Sequence, residues 1–226
     1  MGFAISAEPT YFGIPRMLLY LIRHGESLYN AEGRIQGQSD VALSPLGLRQ
    51  AAALAEALAE EQIDAVFASP LQRAMQTAQP IAAKLGVPIR ADDRLQEIHA
   101  GIFQGLLWAE IEAKFPDAAR PWREQHPDFV IPGGESRRSL MVRGLAVFEA
   151  IRESPFRRVA VVSHGGILAA ALKALLHIPA EINPFSLYNA SISKLAWNER
   201  TKLLTLNQLD HLRAAGVARE DATGSV

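Results

Sequence analysis

The sequence predicts an α/β fold, in which short apolar strands alternate with helices and deliver polar residues to one edge of a sheet. Three stretches carry that expectation. Leu18-Leu19-Tyr20-Leu21-Ile22 is an apolar run of strand length that stops at Arg23-His24-Gly25. Val159-Ala160-Val161-Val162 stops at Ser163-His164-Gly165-Gly166 and leads into a helical pattern rich in Ile, Leu and Ala. Ile63 to Ala68 ends at Ser69-Pro70 and turns directly into another helix. Open α/β sheets place their ligands at the carboxyl ends of strands, so basic side chains at such ends suggest chemistry on an anion.

With 226 residues, 49% hydrophobic and 21% charged, the chain has an ordinary globular composition and the length of one large domain or two small ones. No composition break marks a linker. The expected division is a flexible extension over residues 1–16, one domain over 17–213 and a frayed tail over 214–226. Met1 to Arg16 mix Pro9, Gly13 and Pro15 with aromatics, without the basic start and long apolar core of a signal peptide. No apolar run approaches the roughly 20 residues of a transmembrane helix, so a membrane is not an expected partner. The net charge of -1 argues against bulk nucleic-acid binding. The absence of cysteine removes disulfides, thiolate catalysis and cysteine metal sites, and it suits a reducing cytoplasm. Chemistry must then run on His, Arg and carboxylates.

Along the chain, Gly33 to Asp40 is polar and glycine-punctuated, a loop lying over the end of the first strand with Asn30 and Arg34 in reach of a ligand. Arg34 reads equally as a solvated charge. Ser44-Pro45 is an N-cap and first helical residue, opening a helix through about Glu60 with Leu46, Ala53, Leu54, Ala57 and Leu58 as its apolar stripe. Ser69 with Gln72 reads as a capping box, which sets Arg73 in the first turn of the next helix, where anions are attracted. Pro80 should kink that helix and Gly86 should stop it.

Val87 to Arg90 reads as a third strand, followed by Glu97, a lone carboxylate that by spacing alone is as well read as a solvated charge. His99 reads as structural. A helix is expected near Leu106 to Lys114 and irregular chain from there to Pro132. Trp108, Phe115, Trp122 and Phe129 with Arg120 and Arg123 read either as a substrate lid over about residues 102–132 or as a satellite core of aromatics. Ser136 caps a helix through about Glu153 with Leu140, Val147 and Ile151 inward, while Arg137 and Arg138 are expected to face water. Phe185 to Leu187, Ser191 to Trp197 and Lys202 to Asn207 look like strands, the last two forming a hairpin.

Two histidines and an arginine at three strand ends converge on one sheet edge. Arg23 can hold phosphate with a fixed fork of donors, His24 is a nitrogen nucleophile or proton carrier, and the glycines after His164 expose helix N–H groups to an anion. Gly25 is expected to allow a tight turn close to a ligand.

These residues resemble a known family. Leu21-Ile22-Arg23-His24-Gly25-Glu26-Ser27 with Asn30, Gln36-Gly37 and Leu43-Ser44 to Gly47, Ser69-Pro70-Leu71-Gln72-Arg73-Ala74 with Gln76-Thr77-Ala78, Glu97 with Gly101 and Gly105, and Val162-Ser163-His164-Gly165-Gly166 are similar to the motifs of the histidine phosphatase superfamily, phosphoglycerate-mutase-like branch. The resemblance spans about Met17 to Asn207. It implies a three-layer α/β/α sandwich with a mostly parallel central sheet. It also implies a metal-independent phosphomonoester hydrolase without cofactor. His24 would be the nucleophile that becomes phosphohistidine. Arg23, Arg73, His164, Asn30 and the backbone at Gly165 would form the phosphate pocket, and Glu97 would protonate the leaving oxygen. The implied partners are a small phosphorylated metabolite and inorganic phosphate as product, in a cytoplasmic enzyme open to forming a homodimer. The mutases of the family carry Glu-Arg-His-Tyr-Gly where this chain reads Glu97-Ile98-His99-Ala100-Gly101, and their long basic insertion is missing. The resemblance therefore favours phosphatase over phosphoglycerate mutase, and, since His24, Glu97 and His164 are all present, over a non-catalytic phosphate-binding module.

Overall fold

In the computed structural model, which describes residues 16–218, Met17–Arg23 forms β1, and its alternating side chains explain the layering. Tyr20 and Ile22 point to one face of the sheet, where they pack with Leu54 and Leu58 of α2 (Pro45–Leu58) and with Ala74, Ala78 and Ile81 of α3 (Gln72–Leu85). Leu19 and Leu21 point to the other face, against Val147, Phe148 and Ile151 of α6 (Arg137–Arg152) and Leu168 and Leu172 of α7 (Gly165–Leu175). A strand covered on both faces must be apolar at nearly every position, and β1 is.

The sheet order is β3-β2-β4-β1-β5-β6, with β2 at Ala65–Ala68, β3 at Ile89–Ala91, β4 at Arg158–Ser163, β5 at Ile192–Trp197 and β6 at Thr201–Gln208. The pairings β3-β2, β2-β4 and β4-β1 are parallel, while β1-β5 and β5-β6 are antiparallel. The α/β sandwich with a mostly parallel sheet is therefore as expected, with the β5-β6 hairpin on one side. Register does the important work. Arg23 lies opposite Ser163 and Ala68 opposite Val162, so the residues that follow these three strands emerge side by side. The hydrogen bonds His24 N to Ser163 O (2.9 Å) and Ser69 N to Val162 O (3.0 Å) prolong the ladder into the site.

The remaining helices are α1 (Leu28–Glu32), α4 (Trp108–Lys114), α5 (Pro116–Arg123) and α8 (Asp210–Ala214). Several expectations are corrected. The stretch after Lys114 is not wholly irregular: Pro116 starts α5, as proline does well at a first helical position. The apolar face of α2 runs through Gly47, Ala51, Leu54 and Leu58, and Ala57 is exposed, because the contact with α3 fixes the helix rotation. As expected, Gly86 closes α3, at φ 69°, and Pro80 lies inside that helix. Phe185 to Leu187 is not a strand; the Leu187 carbonyl is instead taken by Arg23. The tail is ordered past Arg213: Val217 is buried, donates to the Leu212 carbonyl and accepts from Gln50 Nε2. Residues 1–15 and 219–226, which hold most of the expected extension and the rest of the tail, lie outside the described residues.

The aromatics of the 102–132 segment build a third cluster with Ile98, Ile131, Leu140 and Ile167, in which Phe103 meets Trp108 and Trp122 edge to face. Of the two readings of that segment, the satellite core is the one its packing displays.

Candidate active site

Arg23, His24, Arg73, Glu97 and His164 meet in one buried place, each no more than 6% exposed. Arg73 is its centre. The guanidinium Nε donates to His24 Nε2 and to His164 Nδ1, both at 3.2 Å, and the two imidazoles stand 5.0 Å apart at 62°. Its two terminal nitrogens donate to the carbonyls of Ser39 and Gly37, each at 2.8 Å. The loop over the first strand end therefore fixes Arg73, and Asp40 adds to this by accepting from the Gln72 N–H at 2.7 Å.

Partners assign the tautomers. The Gly25 carbonyl lies 2.7 Å from His24 Nδ1, and a carbonyl only accepts, so the proton sits on Nδ1 and Nε2 keeps its lone pair. His164 accepts at Nδ1 and so carries its proton on Nε2, 2.8 Å from Ser69 Oγ. That contact corrects the expected capping box. Leu71, not Ser69, is the N-cap of α3, and the Ser69 hydroxyl orients a histidine. Both imidazoles are held well below their ordinary pKa, first by burial and then by Arg73, with Arg23 adding to it, so both are neutral near pH 7.

Arg23 points its Nη1 at the Leu187 carbonyl (2.5 Å) and leaves Nε buried without a partner. Its guanidinium packs at the start of α7, where a Cβ on Gly165 would come to 3.5 Å from it. Burial pushes Arg23 and Arg73 down to about 10, opposed by the nearby Glu97 carboxylate. Glu97 accepts from three backbone N–H groups, those of Ile98 (2.8 Å), Gly166 (2.9 Å) and Ile167 (3.1 Å). A carboxylate at a helix amino terminus is well placed electrostatically. It also explains a glycine: a Cβ at Gly166 would lie 2.4 Å from Glu97 Oε1.

Asn30 precedes the loop. It belongs to α1, and its Oδ1 accepts from the Ser27 N–H and from Asn189 Nδ2. Gly25 has no left-handed backbone; it is needed because α2 approaches, and a Cβ there would lie 2.7 Å from the Gly47 carbonyl oxygen. Arg34 is tied to Glu32, Glu110 and the Gly105 carbonyl, a structural role between the loop and α4. His99 Nδ1 accepts from the Gly101 N–H, also structural. Arg138 is exposed and paired with Asp128 and Glu181, whereas Arg137 is half-buried, with its guanidinium over the Trp122 ring.

Sequence reasoning missed three supports. Asn189 donates to the His24 carbonyl, Thr77 Oγ1 accepts from the Gly25 N–H, and Arg143 donates to the Gln96 and Glu97 carbonyls and to Glu135. Only Thr77, four residues after Arg73 on one helix face, gave a signal in the text.

The family model for the histidine phosphatase superfamily, branch 1, matches residues 19–209. The chain belongs to the histidine phosphatase superfamily. It is a phosphoric monoester hydrolase. It is 38% identical to a glucosyl-3-phosphoglycerate phosphatase of Mycolicibacterium vanbaalenii over 80% of this chain and 85% of that one. It is 37% identical to a metal-independent phosphoserine phosphatase of Arabidopsis thaliana over 91% of this chain and 87% of that one. Among solved structures, a mycobacterial glucosyl-3-phosphoglycerate phosphatase in complex with VO3 superposes with a TM-score of 0.77, at 38% identity, covering 84% of this chain and 98% of that chain. Among the described residues of this superfamily member no helix is long and apolar enough to cross a membrane, and no group of three or more His, Asp or Glu side chains is arranged to hold a metal ion.

Proposed function

We propose that the enzyme hydrolyses a small phosphomonoester through a phosphohistidine at His24, without a metal. The observation that carries this reading is the shared Arg73 Nε–H, which sets a proton-free His24 Nε2 beside His164 and two guanidiniums. His24 Nε2 attacks phosphorus and the ester P–O bond breaks. Glu97, carrying a proton, gives it to the leaving alkoxide. The Arg23 and Arg73 guanidiniums offset the charge of the phosphoryl oxygens, most strongly while phosphorus is in transit, and His164 joins them once it carries a proton on Nδ1. Water then gives a proton to Glu97 and its oxygen attacks phosphorus, the N–P bond breaks, and inorganic phosphate leaves with His24 neutral again. Asn30 contributes through its amide nitrogen, since its oxygen is engaged by Ser27 and Asn189. The 102–132 segment is read as the wall over the substrate. The cytoplasm as location and a homodimer as assembly belong to the same proposal.

Phosphatase is preferred over mutase because Ile98 and Ala100, the replacements for an arginine and a tyrosine, are buried and apolar. An intermediate with little to hold it is lost to water. The test is turnover of p-nitrophenyl phosphate in EDTA by wild type and His24→Ala, with rapid acid-free quenching to trap phosphoenzyme. Loss of at least about a thousandfold in rate and of the trapped species is expected, as for removal of a nucleophile. Equal rates would remove His24 from the chemistry. With 3-phosphoglycerate, free phosphate is the expected product, and 2-phosphoglycerate would restore the mutase reading.

A further inference from the structure

A cavity of about 230 Å³ is lined by Arg23 and the first turn of α7 together with residues of α5, α6 and the 183–187 segment. Sites for drug-sized ligands begin at about 300 Å³, so the occupant is small. Three cations, Arg23, Arg137 and Lys173, stand in its wall, and no carboxylate does. They differ in how they are held. Lys173 Nζ is anchored by the Ala180 carbonyl (2.8 Å) and Asn183 Oδ1 (2.7 Å). Arg23 belongs to the phosphate pocket. Arg137 has no anchor of this kind: its Cζ lies 3.3 Å from the Trp122 ring centroid, and its Nη1 is buried with no hydrogen-bond partner. No acid offsets it either, for burial alone pushes it down to about 10.

A guanidinium donates only through its in-plane edge, and that edge is a fork that matches a planar carboxylate. An unpaired buried donor is costly, and a ligand acceptor removes the cost. One unanchored cation suits a monoanion, since a second phosphate would call for another free donor and Lys173 is already engaged. We propose that the cavity is a carboxylate subsite, in which Arg137 receives a carboxylate on the molecule whose phosphate sits at Arg23 and His24. The substrate is then a small phosphomonoester that also carries a carboxylate. This rests on the hydrolase reading above and narrows it.

The test compares kcat/KM for 3-phosphoglycerate and glycerol 1-phosphate, which share the phosphate ester and differ in carboxylate against hydroxymethyl. Wild type is expected to favour the carboxylate about tenfold to a hundredfold, the range of a charge-assisted hydrogen-bonded pair. Arg137→Met keeps bulk over Trp122 and should bring the ratio to near one, while Arg137→Lys, a charge without the fork, should fall between. Because the ratio is taken within each protein, loss of folded enzyme cancels. A wild-type ratio near one, an unchanged ratio in Arg137→Met, or faster turnover of a three-carbon bisphosphate would each overturn the subsite. Failure to release phosphate from any ester, p-nitrophenyl phosphate included, would instead overturn the hydrolase reading beneath it.

Discussion

Arg73 shares one N–H between two imidazoles, so each of the three side chains has its protonation tied to the others. Both histidines stay neutral in the fold because burial and Arg73 oppose their cations. The unfolded chain has no such opposition and takes up protons near pH 6.5. Below that pH the unfolded state binds more protons than the folded one, so stability is lost as pH falls from about 6.5 towards the depressed folded values. Each histidine contributes up to about 1.4 kcal/mol per pH unit in that window. Urea unfolding should therefore weaken from pH 7 to about pH 5, with a shallower fall in His24→Gln, whose amide does not titrate. Equal slopes in the two proteins would show that His24 is not held neutral. At this scale Arg23, His24, Arg73 and His164 were legible because each ends an apolar strand or opens the helix after one. Arg137 was read as solvated, since nothing local shows that Trp122 will fold back over it. Asn189 was unreadable for the same reason: its contact with His24 spans 165 residues.

Helix α7 supplies more than apolar cover. Its first two free N–H groups beyond Gly165 clamp Glu97, and the absence of a side chain at Gly166 is what lets the carboxylate in. Gly166→Ala should leave the melting temperature within a few degrees, since alanine favours a helix by up to about 1 kcal/mol over glycine. It should nevertheless cut kcat by at least about tenfold, because the added methyl occupies the site of Glu97 Oε1. Full kcat in that variant would place the proton donor elsewhere. The α3 start shows where local rules mislead: Ser69 has the spacing of a cap, but His164 outbids the helix N–H for its hydroxyl. By contrast Ser44 and Ser136 do cap α2 and α6 as their sequences imply, and the Ser44 hydroxyl accepts from the Gly47 N–H while it donates to Glu26.

The whole molecule brings at least two cations, Arg23 and Arg73, into one apolar interior with Glu97 as the acid set against both. Such an excess of buried positive charge is relieved by an anion, so the folded state should bind inorganic phosphate and gain stability by mass action. At a hundred times Kd the gain is about 2.7 kcal/mol, visible as a rise in Tm that Arg73→Met should abolish. A Tm indifferent to phosphate in wild type would mean that these charges do not form an oxyanion pocket. The α/β alternation and all six strands were legible in the sequence, with one spurious strand at Phe185 to Leu187, whereas strand order and the spare cavity emerge only from packing between distant segments.

Arg23, His24, Arg73 and His164 issue from the ends of β1, β2 and β4 or just beyond them, with main-chain carbonyls at Gly25, Gly37, Ser39 and Leu187 as partners, while Glu97 follows β3 and is held by main-chain N–H groups. The cavity next door takes its wall largely from side chains of α5, α6 and α7. Natural selection can therefore rewrite what the protein accepts by exchanging residues on a few helices, while the apparatus that breaks the bond, written mostly into backbone, is inherited intact.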